Sequence, residues 1–248
     1  MAGTDTAQNP RVLVLKTGTT YPRIQKQFGD FEDWFIRGLS GQLDINVADA
    51  TLAPPPGRPE DWHGVVITGS PAMVSDRSVW SEQAAEWVRQ AVTDEIPLLG
   101  VCYGHQLLAH ALGGQVDYHP GGRETGTQEI RLCHAARTDP LFGLLPDTFP
   151  AQLTHKQSVL ELPPGAVLLA SSEFEPHQAF RVGRQAWGVQ FHPEFTEQVM
   201  QAYLEVQYPD LEAEGLDAES LLAAVRPAPD ATRLLRLFSD QVIGALSA

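Results

Sequence analysis

The chain has 248 residues, of which 43% are hydrophobic and 19% charged, and its formal net charge is −14. This length suits one domain with a sizeable core. The acidic balance argues against a general nucleic-acid binder, which needs a basic surface. No apolar run is long enough for a membrane span, and Cys102 and Cys133 are the only cysteines, too few for a disulfide framework;. A cytoplasmic location is the default expectation.

Residues 1–10 are polar, lack an apolar signal core, and read as a disordered tail. Residues 11–15 form a buried-type strand that runs into Lys-Thr-Gly. Apolar positions at Phe28, Phe31, Phe35, Ile36 and Leu39 predict a helix over 28–39;. Strands are expected at 43–47, 64–68 and 97–101, with a stiff proline-rich loop at 54–59 and a helix at 80–92. The second half is richer in strands, at 128–132, 151–153, 167–171, 179–182 and 186–191. Helices follow at 196–206, 218–225 and 232–246, the last two separated by Pro227 and Pro229. Strands alternating with helices predict an α/β fold, with a mostly parallel central sheet covered by helices on both faces. A catalytic domain over 11–199 and a helical extension over 200–248 packed on it complete the expected layout.

The fourth strand stops at Cys102, and a helical pattern starts directly after it. Gly100 and Gly104 stand two residues to either side. This is the pattern of a sharp strand-to-helix turn with a nucleophile at its apex. The following helix aims its free N–H groups and positive dipole end at the sulfur, favouring thiolate. A lone cysteine in a buried strand would read as a small core residue; the glycine bracket changes that balance. Among eight histidines, His192 ends the run 187–191, where a parallel sheet collects its active-site residues. Glu194 lies two residues on, close enough to fix the imidazole tautomer. The N–H of Tyr103 and that of Gly69, at the end of the third strand, are the candidate oxyanion donors. His105 and His110 lack the spacing of a zinc pair, and no metal or cofactor is called for.

Together these segments resemble the class I glutamine amidotransferases. The stretch 100–106 is similar to that family's nucleophile turn, Gln190-Phe191-His192-Pro193-Glu194 to its His-Glu segment, and Gly69-Ser70-Pro71 to its oxyanion loop. Gly122-Arg123-Glu124 followed by Gly126 is similar to the loop after the nucleophile helix. The resemblance implies a flavodoxin-like sheet and a Cys102-His192-Glu194 triad that releases ammonia from glutamine through a thioester. It places Gln106 on the substrate, with His155, Gln157 and Ser158 in a loop over the pocket. Gln157 stands where GMP-synthase-like members often carry an acid. A separate synthetase partner is implied, since no phosphate-binding Gly-rich loop is present. A γ-glutamyl peptidase or hydrolase is the alternative, and a non-catalytic binding module the alternative of another class.

Overall fold

The computed structural model describes residues 9–246, so most of the expected tail lies outside the described residues. The first strand, β1 (Arg11–Lys16), is followed by two short helices, α1 (Pro22–Phe28) and α2 (Phe31–Gly38). The sequence pattern predicts a helix over 28–39, inside which α2 falls, and does not predict α1. Gly29 interrupts the predicted helix with φ 87°, and Asp30 then caps a new helix through a reciprocal bond with Asp33;. Next come β2 (Asp44–Asp49), β3 (Gly64–Ile67), α3 (Val79–Thr93), β4 (Leu98–Val101) and α4 (Tyr103–Ala111). The second half supplies β5 (Gln115–Tyr118), β6 (Glu124–Leu132), β7 (Thr148–His155), β8 (Gln157–Glu161), β9 (Val167–Ser171), β10 (Ala179–Val182) and β11 (Ala186–Val189). It closes with α5 (Glu197–Ala213), α6 (Ala218–Ala223) and α7 (Pro229–Ala245).

Nine strands form one sheet in the order β2-β1-β3-β4-β11-β10-β9-β6-β7. The first five run parallel and the rest add antiparallel neighbours. The parallel part has the order of the flavodoxin-like doubly wound sheet, whose ligands sit at the carboxyl ends beside the switch point between β1 and β3. Strands β5 and β8 pair separately; the sequence pattern predicts neither.

Alternation along the strands assigns the two faces. Val12 and Val14 of β1 join a core with Phe35, Leu99, Trp187 and Phe238, beneath α2 and α7. Leu13 and Leu15 join the opposite core with Val88, Leu107 and Leu108, beneath α3 and α4. Each such fully buried side chain contributes about 1.5–3 kcal/mol. A third cluster, containing Ile24, Phe31, Trp34, Phe195 and Leu204, ties α1 and α2 to α5.

Candidate active site

Cys102 caps α4 with φ 51° and ψ −100°, a conformation that L-residues rarely adopt;. Its N–H donates to Val189 O at 2.9 Å, and its carbonyl accepts from Gln106 N–H at 3.1 Å. The turn is too tight for side chains on either side. A Cβ on Gly100 would lie 2.3 Å from Gly104 O, and one on Gly104 2.5 Å from Ile67 O. Backbone strain of this kind costs about 1–3 kcal/mol and persists only where packing enforces it. Tyr103 supplies part of that packing: its ring is buried, stacks on Trp80, and its hydroxyl meets Ser81 Oγ at 2.6 Å. Burial pushes the Tyr103 phenol up to about 12 despite the Ser81 bond.

Cys102 and His192 share one cavity of about 550 Å³ at the carboxyl ends of the strands. His192 Nδ1 lies 2.7 Å from Glu194 Oε1, and both side chains are buried. Nε2 has no hydrogen-bond partner among the described residues. Burial opposes charge on this ring, but attraction to Glu194 and then Cys102 outweighs it and raises His192 to about 10. Aromatic faces clamp the imidazole: Phe195 stacks at 4.1 Å between centroids and Phe31 at 6.4 Å. Gly69 approaches its edge, since a Cβ there would lie 3.0 Å from His192 Cε1. Thr17 holds the Gly69 turn, its hydroxyl donating to Gly69 O at 3.0 Å and Thr68 O at 2.9 Å.

Gln106 lines the cavity, and both of its amide N–H groups are spent inside the protein, on Gln157 O at 2.7 Å and Gln190 Oε1 at 2.9 Å. Its carbonyl oxygen is the group left to meet a ligand. His155 and Gln157 also reach the cavity wall, though their polar atoms are committed elsewhere. His155 Nδ1 donates to Gln157 O at 2.9 Å, and Nε2 lies 2.8 Å from Glu124 Oε2. The Gln157 amide bonds the backbone N–H and hydroxyl of Ser75. Ser158 is not brought to the cavity. It follows Gln157 in β8, so its side chain takes the opposite face, and its hydroxyl donates to buried Glu175;. His105 is fully buried against Gly188 and Phe180, and burial lowers it to about 3, leaving a neutral core residue. Cys133 lies outside the cavity, both cysteines are free, and burial raises the Cys133 thiol. Among the described residues no cluster of His, Cys, Asp and Glu has the makings of a metal site.

Sequence reasoning missed one wall. The loop after β1 brings Thr20 and Tyr21, while α5 brings Tyr203, Gln207 and Asp210. They are joined by a hydroxyl–hydroxyl bond of 2.5 Å between Thr20 and Tyr203, and the Tyr21 and Tyr203 rings meet edge to face. Arg123 and Lys156, on another side, both pair with Glu214, Arg123 with two bonds of 2.8 and 2.9 Å. The signal for the α5 wall was the aromatic and polar spacing Tyr203, Gln207, Asp210, three and four residues apart on one helix face.

The family model for glutamine amidotransferase class-I matches residues 42–208. The chain belongs to the class I glutamine amidotransferase family. It is 36% identical over 170 residues to a glutamine-hydrolyzing GMP synthase subunit of Methanopyrus kandleri, covering 66% of this chain and 86% of its relative. It is 31% identical over 188 residues to the glutamine-hydrolyzing GMP synthase of Bacillus subtilis, covering 75% of this chain but 33% of that enzyme. Against the GMP synthases of Porphyromonas gingivalis the chain spans only 26% of the relative's length. A solved glutamine amidotransferase from Thermotoga maritima superposes with a TM-score of 0.74 at 23% identity, over 95% of this chain and 98% of that one. One from Methylobacillus flagellatus gives 0.69 at 23% identity, over 95% and 90%. Among the described residues, no helix is long and apolar enough to cross a membrane.

Proposed function

We propose that this amidotransferase hydrolyses the side-chain amide of glutamine to glutamate and ammonia, with Cys102, His192 and Glu194 as its triad. The observation that carries the reading is the strained Cys102 turn opening onto the cavity that holds the His192–Glu194 pair. Cys102 thiolate attacks the amide carbon and forms the carbon–sulfur bond. The oxyanion takes hydrogen bonds from the N–H groups of Tyr103, in the first turn of α4, and Gly69. The His192 imidazolium gives its Nε2 proton to the departing nitrogen, and the carbon–nitrogen bond breaks to release ammonia. His192, now neutral, takes a proton from water as the oxygen adds to the thioester. The carbon–sulfur bond breaks, and the thiolate and imidazolium are restored. Glu194 holds Nδ1–H throughout and stabilises the charged ring. Transfer of the ammonia to a separate synthetase is supported by the likeness to the Methanopyrus kandleri protein, which is named as one part of a GMP synthase.

Cys102→Ala is expected to abolish glutamate release, by about three orders of magnitude or more, while the far-ultraviolet spectrum of the folded protein is retained. Retained turnover in that variant would overturn the nucleophile assignment. The cavity favours one further reading, a γ-glutamyl hydrolase. Its volume of about 550 Å³, with Tyr21 and Asp210 among the lining residues, admits a leaving group larger than ammonia;. Comparing kcat/KM for glutamine and γ-glutamyl dipeptides decides between them.

A further inference from the structure

Behind the imidazole lies a second cavity, of about 630 Å³. It is framed by the end of α2 and the first turns of α5 and α7, and Phe195 forms part of its wall. Phe195 is also the ring stacked on His192, with 21° between the planes. One aromatic side chain therefore separates this cavity from the proposed triad.

Three arginines, Arg37, Arg233 and Arg236, are among the residues that line it. All three residues are exposed, and none lies within 4.0 Å of a carboxylate among the described residues. Arg37 gives one N–H to Phe28 O at 2.8 Å, and Arg233 one to Leu144 O at 3.0 Å. Most of the fifteen guanidinium N–H donors that three arginines carry are thus unspent. The chain holds 31 acidic residues against 17 basic ones, so three unpaired arginines around one cavity run against the overall charge. The cavity's own carboxylate is Glu197, at the first position of α5, where a negative charge suits the helix dipole;. The first turn of α7 has no side-chain cap.

We propose that this cavity binds a multiply charged oxyanion, of the class of phosphorylated small molecules. The arginine fork matches phosphate oxygens bidentately. Three guanidinium charges less one carboxylate leave a surplus close to the charge of a phosphomonoester at neutral pH. Leu39, Phe195 and Pro227 give the organic part of such a ligand an apolar floor, and the volume lies in the range of small-molecule sites;. A ligand seated there touches the ring that backs His192, so its occupancy bears on the imidazole. The site stands independently of the glutamine reading; only its effect on turnover rests on that reading.

The test is calorimetric titration of the full chain with pyrophosphate at low ionic strength. Saturable binding is expected, weakened at least tenfold in the doubly substituted Arg233→Gln, Arg236→Gln variant. Both substituted positions are exposed and outside the proposed triad, so the variant keeps the wild-type melting temperature and glutaminase rate in the absence of the anion. No saturable binding, or equal binding by the variant, overturns the site. The second readout is the rate at which iodoacetamide alkylates Cys102, followed by mass spectrometry. Pyrophosphate is expected to change that rate at least twofold in the wild type and not in the variant. An unchanged rate at saturation overturns the link through Phe195 and leaves the site judged by the titration alone.

Discussion

Glu194 is the residue whose charge decides how His192 behaves. Burial works against an imidazolium, but the carboxylate 2.7 Å away, together with Cys102, outweighs it and raises the ring to about 10. A folded pKa above the ordinary histidine value means the ionised pair stabilises the fold fully below about 6.5 and loses that contribution as pH rises through about 10;. In the proposed reaction the same charge holds a proton ready for the leaving nitrogen across the neutral range. Glu194→Gln keeps the shape and removes the charge, so the imidazolium is disfavoured and its pKa falls. The alkaline limb of kcat/KM is expected to move to lower pH, with a loss of about 10²–10⁴ in rate. A limb that stays near the wild-type position would show that Glu194 does not set the protonation of His192. The residues named from sequence that meet at the cavity come from short motifs, such as Gly100 to Gly104 and His192 to Glu194. In these, two residues' spacing and one turn fix the geometry. Gln157 and Ser158 could not be placed in that way. Their roles depend on Ser75 and Glu175, which lie far from them in sequence and reach them only through the fold.

At the scale of elements, the start of α2 is the joint between the fold and the site. Asp30 accepts from the N–H groups of Thr20 and Phe31 and from Lys16 Nζ at 2.8–2.9 Å. It thereby ties β1, the cavity loop and the helix that carries Phe31. Burial alone would push the Asp30 carboxyl up, but the bond from Lys16 and those backbone donors outweigh it and hold the group below the usual carboxylate range. Lys16 is the mirror case: burial lowers it, and its bonds to Asp30 and Glu32 raise it on balance. Asp30→Ala removes a helix cap and breaks a buried pair, so a loss of about 3–5 kcal/mol is expected in urea unfolding at neutral pH. Because the Asp30 pKa is depressed, its contribution is present above the ordinary carboxylate range and lost as pH falls. The difference between wild type and variant should therefore shrink on acidification. A neutral-pH cost below about 1 kcal/mol, as for a surface pair, would sink this account. The same joint explains why the predicted helix begins three residues before α2 does. The apolar spacing from Phe28 to Leu39 continues through Gly29 and Asp30, while the backbone breaks there and restarts. Strands β5 and β8 escaped for another reason: they pair only with each other, and β5 is mostly exposed, so neither shows a strong apolar alternation. The parallel strands were legible because burial on both faces makes them continuous apolar runs.

Across the whole molecule, the helices after residue 199 are built into both the core and the site. Phe238 and Val242 of α7 sit in the same core as Val12, Leu99 and Trp187. The α7 helix comes close enough that a Cβ on Gly38 would lie 2.3 Å from Leu235 Cδ1, and one on Gly64 2.6 Å from Val242 Cγ2. Tyr203 of α5 walls the cavity and bonds the loop after β1. An architecture in which the last helices cover the sheet and complete the pocket predicts one cooperative unit. Phe238→Ala opens a void beside Trp187, whose ring meets Phe238 at 86° with centroids 6.4 Å apart. It is expected to cost about 3–5 kcal/mol. Near-ultraviolet ellipticity from the tryptophans, far-ultraviolet ellipticity and glutaminase activity should then be lost with one shared midpoint, in wild type and variant alike. If α7 were an independent appendage, the variant would instead show an early helical transition that leaves activity and the near-ultraviolet signal in place. Coincident midpoints displaced together to lower temperature are what the shared core requires.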